Sequence, residues 1–243
     1  MKRAGMYARD GREMETVAGQ LLRDLCFLDE RDGDYEQARE RLRGYGQLGV
    51  HGPFTSMFGS AGCCRAEVAS VYAELFHGLG YLPVARLIGP GTWRELTAGL
   101  RSRFEGRDVR RSEAEAFLGP ASLVVEERVL CYAAEEAAAG WIFIDCWAER
   151  TQVYQPGRGS YETAADADPL IRSVRASADE FEAGLILTMY GKVLRWGSGW
   201  WVHHPDPHAS PQSQAIAGQL RQIHAADPSR SLSWPPPDDH DRS

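Results

Sequence analysis

The chain has 243 residues, of which 43% are hydrophobic and 25% are charged, which predicts a globular protein with a sizeable apolar core. A formal net charge of −7 at pH 7 speaks against nucleic-acid or membrane partners, because those partners attract a basic surface. The N-terminal segment lacks the apolar core of a secretory signal, and no apolar run is long enough to span a bilayer. Five cysteines without a disulfide-framework spacing are typical of a reducing compartment, so we expect a cytoplasmic protein.

Three regions are predicted from composition and periodicity. Residues 1–45 are expected to be helical, and residues 46–204 are expected to form the core of the fold. Residues 205–243 are polar and Pro-rich, with one weak helix near residues 213–224 and a disordered tail from about residue 229.

Two helices are predicted in the first region. The first covers residues 14–28, and the second runs from Asp34 as N-cap to Gly44 as C-cap. A glycine-rich loop over residues 46–62 follows; such loops often carry function, although they also serve as plain connections. The apolar residues at helical spacing in the first helix are Val17, Leu21, Leu25 and Leu28.

Two adjacent cysteines, Cys63 and Cys64, stand where this loop meets the clearest amphipathic helix of the chain. Helical steps from Cys64 reach an apolar stripe, which consists of Val68, Val71, Tyr72, Leu75 and Leu79. Steps from Cys63 reach a polar face that is expected to be solvated, which consists of Glu67, Ser70 and Glu74. Cys64 is therefore expected to point into the fold at a helix N-terminus, where the backbone amides and the helix dipole favour a thiolate. The alternative is that Cys64 only fills space, because free cysteine is often buried.

The remainder of the core is predicted to be rich in strands. Residues 81–89 are expected to form a strand that ends at a Gly-Pro-Gly turn, and the charged residues from about 90 to 120 are expected to be a solvated insertion on the surface. Further segments rich in β-branched and aromatic residues are LVVEERVLCYA, GWIFIDCW, LILTMYGKVLRW and GWWVHH.

The segments that contain Cys131 and Asp145 are predicted to pair as a β-hairpin. A connecting loop centred on Ala138 sets Cys131 directly opposite Asp145. The alternative is a helix over residues 122–140, because the alanines and glutamates there favour one. The β-branched first half and the aromatic strand that follows favour the hairpin. A buried carboxylate such as that of Asp145 is rare unless it has a partner or a function.

The order of these features resembles the transglutaminase-like superfamily, which is related to papain, over roughly residues 45–150. The matching residues are Gly62, Cys63 and Cys64 at a helix start, Gly80, Pro83, Ala85 and Arg86 in the next strand, and Glu135, Gly140, Trp141 and Asp145 in the hairpin. The resemblance implies an α+β fold in which a central helix carrying Cys64 packs on an antiparallel sheet. It also implies acyl transfer on amide bonds, with Cys64 as the nucleophile and Asp145 as the acid that orients the base.

Cys131 occupies the position of the family's catalytic histidine, and this departure leaves the base unassigned. The chemistry needs an imidazole that accepts the thiol proton and then protonates the leaving amine. A second thiol, with an ordinary pKa of about 8.5, cannot replace it. Three outcomes stay open: a catalytically silent protein, a histidine recruited from elsewhere, or a redox pair between Cys64 and Cys131.

Two neighbouring histidines, His203 and His204, are the strongest candidates for a recruited base, because they follow a predicted strand and lie beside Asp206. The alternative is that they form a solvent-exposed polar turn. His51, in the glycine-rich loop just before the thiol, could also reach Cys64. His77, near the end of the cysteine helix, is expected to be a surface residue that compensates the helix dipole.

No metal or cofactor site is predicted. Adjacent cysteines cannot both ligate one ion comfortably, no two cysteines are separated by two residues, and no phosphate-binding or dinucleotide glycine motif occurs. We therefore expect a cysteine-dependent hydrolase or acyl transferase without a cofactor that acts on a protein or peptide substrate. The alternative is a catalytically silent protein of the same fold that binds protein partners.

Overall fold

A computed structural model of the protein describes residues 8–58, 64–147, 150–155, 157, 159–177 and 181–196, together with 214, 215, 218, 219, 222 and 226. The helices are α1 (Gly11–Leu28), α2 (Asp32–Arg43), α3 (His51–Phe58), α4 (Arg65–Gly78), α5 (Pro90–Phe104), α6 (Arg111–Leu118) and α7 (Met189–Trp196). The strands are β1 (Leu123–Val125), β2 (Val129–Ala133), β3 (Trp141–Trp147), β4 (Arg150–Gln155), β5 (Ser160–Ala165), β6 (Leu170–Ala176) and β7 (Leu185–Leu187). The expected α+β fold, with helices in the N-terminal part, is confirmed.

Some expectations fall on other parts of the chain. The strand expected near residues 199–204 and the tail from about residue 229 lie outside the described residues. The weak helix near residues 213–224 lies largely outside them.

One antiparallel sheet with the strand order β1-β2-β3-β6-β7 organises the structure, and β4 and β5 form a separate two-stranded sheet. Side chains alternate across β2. Val129, Cys131 and Ala133 join the apolar cluster formed with helices α1 to α4. Leu130 and Tyr132 join the cluster formed with α5 and α6. The sheet is therefore covered on both faces, and the protein has three layers.

The layer formed by α5 and α6 corrects an expectation. The charged residues from about 90 to 120 are not a solvated insertion, because they form two helices that bury an apolar side against the sheet. The buried residues of α5 recur at helical spacing and are Trp93, Leu96, Leu100 and Phe104. The arginines of this helix lie on its outer side, and their number concealed the apolar repeat.

Two segments near the sheet also differ from the expected strands. Residues 81–89 form no strand; within them Ile88 makes a single bridge with Ala134. The segment expected as one long strand after residue 184 is divided into β7 and α7. Thr188 stands between them, and its Oγ1 accepts the N–H of Gly191 at 3.0 Å, which caps the helix.

The expected hairpin of β2 and β3 is confirmed, and the helical alternative for this segment is wrong. Its register differs from the expectation by two residues, since Asp145 pairs with Val129, and Cys131 pairs with Phe143. At the end of the hairpin β2 also binds Ile88: the carbonyl oxygen of Ala133 accepts the N–H of Ile88, and the N–H of Glu135 donates to the carbonyl oxygen of Ile88, both at 2.9 Å. Cys131 therefore does not lie directly opposite Asp145.

The N-terminal helices form as expected but with a different phase and start. Helix α2 has Arg31 rather than Asp34 as its N-cap, whereas the C-cap at Gly44 is confirmed. In α1 the buried side chains are Met14, Ala18, Leu22 and Cys26, while Val17, Leu21 and Leu28 of the expected stripe are exposed. Helix α1 approaches α4 closely on its inner side. A Cβ atom on Gly19 of α1, for example, would lie 3.2 Å from the hydroxyl oxygen of Tyr72 on α4.

Helix α4 lies between α1 and the sheet, and every residue from Ala66 to Phe76 is buried. The solvated face expected for Glu67, Ser70 and Glu74 is therefore wrong. These polar side chains point to partners inside the protein: Arg172 binds Glu67, Arg175 binds Ser70, and Ser177 binds Glu74. The polar stripe of α4 therefore faces β6 and the residue that follows it rather than solvent.

Candidate active site around Cys64

Cys64 is the N-cap residue of α4, and it is 5% exposed. Its Sγ lies 3.9 Å from the carbonyl oxygen of His51, to which it donates, and 3.5 Å from Oγ1 of Thr55. Helix α1 touches the thiol at Gly11, where a Cβ atom would overlap with Sγ. The thiol is thus enclosed by α1, α3 and the start of α4.

Glu15 on α1 binds the start of α3 through its carboxylate. The carboxylate accepts the N–H groups of Val50 and His51, each at 3.0 Å, and lies 2.7 Å from Nδ1 of His51. Gly49, with a φ of 74°, leaves the space that this carboxylate occupies and that a Cβ would fill. Because an ionised carboxylate only accepts, Nδ1 carries the hydrogen in this pair, and Nε2 is the nitrogen able to take a proton.

Helices α1 and α3 and the start of α4 therefore meet at this point: the Cys64 thiol binds the backbone of His51, and the side chain of His51 binds Glu15. The imidazole and the hydroxyl of Thr55 stand one turn apart on α3, and the thiol binds that turn at the backbone of His51. A thiol at a helix N-terminus, a nearby histidine and a carboxylate that fixes the histidine tautomer are the parts that nucleophilic cysteine chemistry uses. Of these residues the sequence indicated Cys64 and His51.

Cys131 and Asp145, which the family resemblance singled out, have other surroundings. Cys131 is fully buried in β2, its Sγ donates to the carbonyl oxygen of Val129 at 3.8 Å, and burial raises the pKa of this thiol far above its usual range. Asp145 accepts from Nε of Arg172 at 2.6 Å and from the hydroxyl of Ser173 at 3.4 Å. His203 and His204 lie outside the described residues.

A β-bulge brings the arginine to Asp145. The register between β3 and β6 shifts after Asp145, because Asp145 pairs with Ser173 whereas Cys146 pairs with Ile171. Arg172 is the extra residue of this bulge, so that it and Ser173 both face α4. Its guanidinium binds Asp145 and Glu67 and stacks 3.9 Å from the ring centre of Phe58.

Two acidic and two basic side chains form this buried cluster. Arg128, on the turn before β2, donates to Glu67 Oε1 at 2.5 Å, and its Nε lies 3.7 Å from Asp145 Oδ1. Burial, together with the nearby charge of Asp145, raises the pKa of Glu67 to about 7 despite both arginines. Burial opposes the ionisation of Asp145 as well, but Arg172 and Arg128 outweigh it and lower the pKa of Asp145 below its usual value.

The described residues contain neither a metal-binding cluster nor a membrane-spanning helix. In that part of the chain no group of three His, Cys, Asp or Glu side chains is arranged to hold a metal ion. No helix there has the length and apolarity needed to cross a membrane.

His77 lies in the last turn of α4, with Nδ1 2.9 Å from the carbonyl oxygen of Leu82.

Sequence reasoning missed the partners of the thiol and of Asp145. Glu15 and Thr55 could not be recognised from the residues around them in the sequence, because each contacts a partner on another helix: Glu15 binds His51, and Thr55 lies beside Cys64. Arg172 was missed because a bulge, rather than regular alternation, directs it towards α4.

No family model matches the chain, and no curated protein or solved structure matches it either.

Proposed function

We propose that the chain is a transglutaminase-like cysteine domain that acts on amide bonds, with Cys64 as nucleophile and His51, oriented by Glu15, as the base. One observation carries the proposal: the Glu15–His51 pair, 2.7 Å between carboxylate oxygen and Nδ1, on the helical turn that binds the Cys64 thiol. His203 and His204 then have no required part in the chemistry, and Asp145 stabilises the fold rather than the base.

The proposed reaction is acyl transfer through a thioester. Nε2 of His51 takes the proton of the Cys64 thiol, and the thiolate attacks the amide carbonyl to give a tetrahedral intermediate. The carbon–nitrogen bond then breaks, the imidazolium gives its proton to the leaving amine, and a thioester remains on Cys64. Water or a second amine attacks the thioester, His51 accepts that nucleophile's proton, and the thiol is restored.

The substrate in this proposal is an amide of a protein or peptide, and the proposed location is the cytoplasm. Three of the described cysteines, Cys26, Cys131 and Cys146, are free thiols, which suits a reducing compartment.

A second candidate is a catalytically silent protein of the same fold that binds protein partners. One observation favours it: Asp145, at the family's acid position, is bound by Arg172, and the residue directly opposite it is Val129 rather than a histidine. In that case Cys64 is a buried thiol that donates to a backbone carbonyl and does not react.

Acylation by p-nitrophenyl acetate tests the proposal, because the ester acetylates an active thiol and releases p-nitrophenolate. We expect a burst of p-nitrophenolate and an acetyl thioester on Cys64, located by peptide mass spectrometry and absent in Cys64→Ser. Loss of the base in His51→Gln should slow the acetylation about 100-fold. Glu15→Gln should slow it less, because the imidazole is retained but less well oriented.

His77→Gln is the matched control, since it removes a histidine whose Nδ1 is also hydrogen bonded but which lies at the opposite end of α4. Its acetylation rate should equal that of the unchanged protein. Cys26 serves as the internal reference, because burial raises the pKa of its thiol. If Cys64 is acetylated no faster than Cys26, the catalytic proposal fails and the silent protein is favoured.

A further inference from the structure

Arg175 of β6 is a buried guanidinium whose charge is not neutralised by a carboxylate. The residue is 6% exposed. It donates to the hydroxyl of Tyr45 and to Oγ of Ser70, both at 3.1 Å, and stacks 3.8 Å from the ring centre of Phe143. Within the described part of the chain, no Asp or Glu side chain lies within ion-pairing distance of it.

The neighbouring arginine on the same strand shows the contrast. Arg172 is also buried, but it is bound by Glu67 and Asp145. Burying an arginine with neutral partners alone is unfavourable, because two hydroxyl groups do not replace the hydration of a full positive charge. The buried, unneutralised charge of Arg175 therefore points to a functional role for this residue.

Arg175 lines an open groove of about 670 Å³ between α2, α4 and the end of β6. The apolar walls of the groove include Leu42, Val71, Leu75 and Phe181. This volume and this mixture of apolar wall and few polar groups are typical of small-molecule sites.

The other charges close to the guanidinium balance each other. Arg41 and Glu74 form an ion pair with 3.2 Å between Nη2 and Oε1, and Glu74 also accepts from the Ser177 hydroxyl at 2.7 Å. One positive charge, that of Arg175, is left over at the inner wall. A ligand with a single negative charge would neutralise it, whereas a dianion would bring a second negative charge into the groove with no cation left among the described residues to pair with it.

We infer that this groove is a binding site for a monocarboxylate with an apolar body, whose carboxylate pairs with the guanidinium of Arg175. A carboxylate matches the planar donor edge of an arginine, and the apolar walls take the rest of the ligand. The site is independent of the proposed chemistry. Val71 and Glu74 stand two to three helical turns along α4 from Cys64, so the groove and the thiol occupy different ends of the helix.

Titration of the full chain with hexanoate and 3-phenylpropionate, followed by calorimetry, tests the inference. The uncharged controls are hexanamide and 3-phenylpropanamide, which have the same apolar bodies. We expect the carboxylates to bind about 10- to 100-fold more tightly than the amides. At a pH above its second ionisation, where it is a dianion, 2-phenylethylphosphonate should bind more weakly than 3-phenylpropionate does at the same pH. Equal affinity of acid and amide, failure of both acids to bind, or tighter binding of the phosphonate overturns the inference.

A pair of variants locates the site. Arg175→Gln should abolish the increase in melting temperature that 3-phenylpropionate gives to the unchanged protein. Arg86→Gln is the control, since Arg86 is a partly buried arginine that donates to the carbonyl oxygen of Leu118, outside the groove. It should keep the full increase, and loss of the increase in Arg86→Gln alone speaks against the groove. If Arg175→Gln does not fold, Phe181→Ala at the groove wall should weaken binding of both acids.

Discussion

Glu67 lies among buried charges, and its ionisation is coupled to the folding of the chain. Its Oε1 is bound by Arg172 and Arg128, while its Oε2 has no hydrogen-bond partner among the residues that the structure describes. Asp145 Oδ1 likewise accepts no hydrogen bond, although Nε of Arg128 is 3.7 Å away. A proton on Glu67 removes a buried charge and leaves one of two neighbouring negative charges, so burial and the charge of Asp145 together raise the pKa of Glu67.

Glu67→Gln is expected to remove a pH dependence of stability. The folded pKa of Glu67 is about 7, above the unfolded value of about 4.3. Between these values the folded chain holds more protons, so the free energy of unfolding falls as pH rises, by roughly 3–4 kcal/mol in all. Asp145 does not contribute in this window, because its pKa lies below its usual value.

Urea unfolding between about pH 5 and pH 8, followed by circular dichroism, measures this effect. The unchanged protein should lose stability over this range, and Glu67→Gln should lose clearly less. Glu36→Gln, on the exposed side of α2, should follow the unchanged protein. Parallel curves for the protein and Glu67→Gln would show that Glu67 is ionised throughout.

At the scale of elements, the bulge of β6 fixes Arg172 between α4 and β3. Arg172→Met introduces an apolar side chain of similar length. It leaves Arg128 as the one arginine of the cluster beside the carboxyl groups of Glu67 and Asp145. We expect a loss of about 3–5 kcal/mol in the free energy of unfolding, because breaking a buried ion pair strands its partner. Arg103→Met is the control, since that exposed arginine stacks on Phe117 at 3.9 Å.

Chemical denaturation near neutral pH compares the two variants. Arg103→Met should lose about 1 kcal/mol or less, as expected for an exposed cation–π contact. Similar losses for both arginines would mean that the buried cluster contributes no more than a surface contact.

The contact between α7 and β6 depends on the absence of a side chain at Gly191. A Cβ on Gly191 would overlap with the backbone carbonyl of Arg172, and neither backbone segment can give way without moving an element. Gly191→Ala should therefore lower the melting temperature and disturb the bulge. Gly33→Ala in α2 is the opposite case, because a Cβ there meets nothing within 4 Å. It should raise stability by about 0.5–1 kcal/mol, since alanine favours a helix. Equal effects of the two substitutions contradict this packing.

The sequence was sufficient for elements whose pattern is local and insufficient for those that depend on a distant partner. The helix after Cys64 and the β2–β3 hairpin could be predicted because their own periodicity specifies them. The environment of Glu67 could not, because a polar stripe on a helix predicts solvent unless arginines more than 60 residues away are known to meet it. The same holds for Glu15, whose partner His51 lies 36 residues further along the chain.

At the scale of the whole molecule, a single sheet serves two helical layers. Strand β2 is buried along its full length, with Cys131 towards α4 and Leu130 towards α5 and α6. Neither helical layer can keep its apolar face covered without the strands, and the strands cannot keep both faces covered without both layers. The described layers should therefore unfold together.

Leu130→Ala tests this coupling. Leu130 is fully buried, so the cavity should lower the free energy of unfolding by about 2–5 kcal/mol. Hydrogen exchange read by peptide mass spectrometry should then accelerate by the same factor in α4 and in α5, although Leu130 faces only α5 and α6. Leu28→Ala, at a side chain that is 73% exposed, should leave exchange in both helices unchanged. Acceleration confined to α5 and α6 would mean that these two helices open on their own. Helices α1 to α4 and the sheet would then be a separate folding unit.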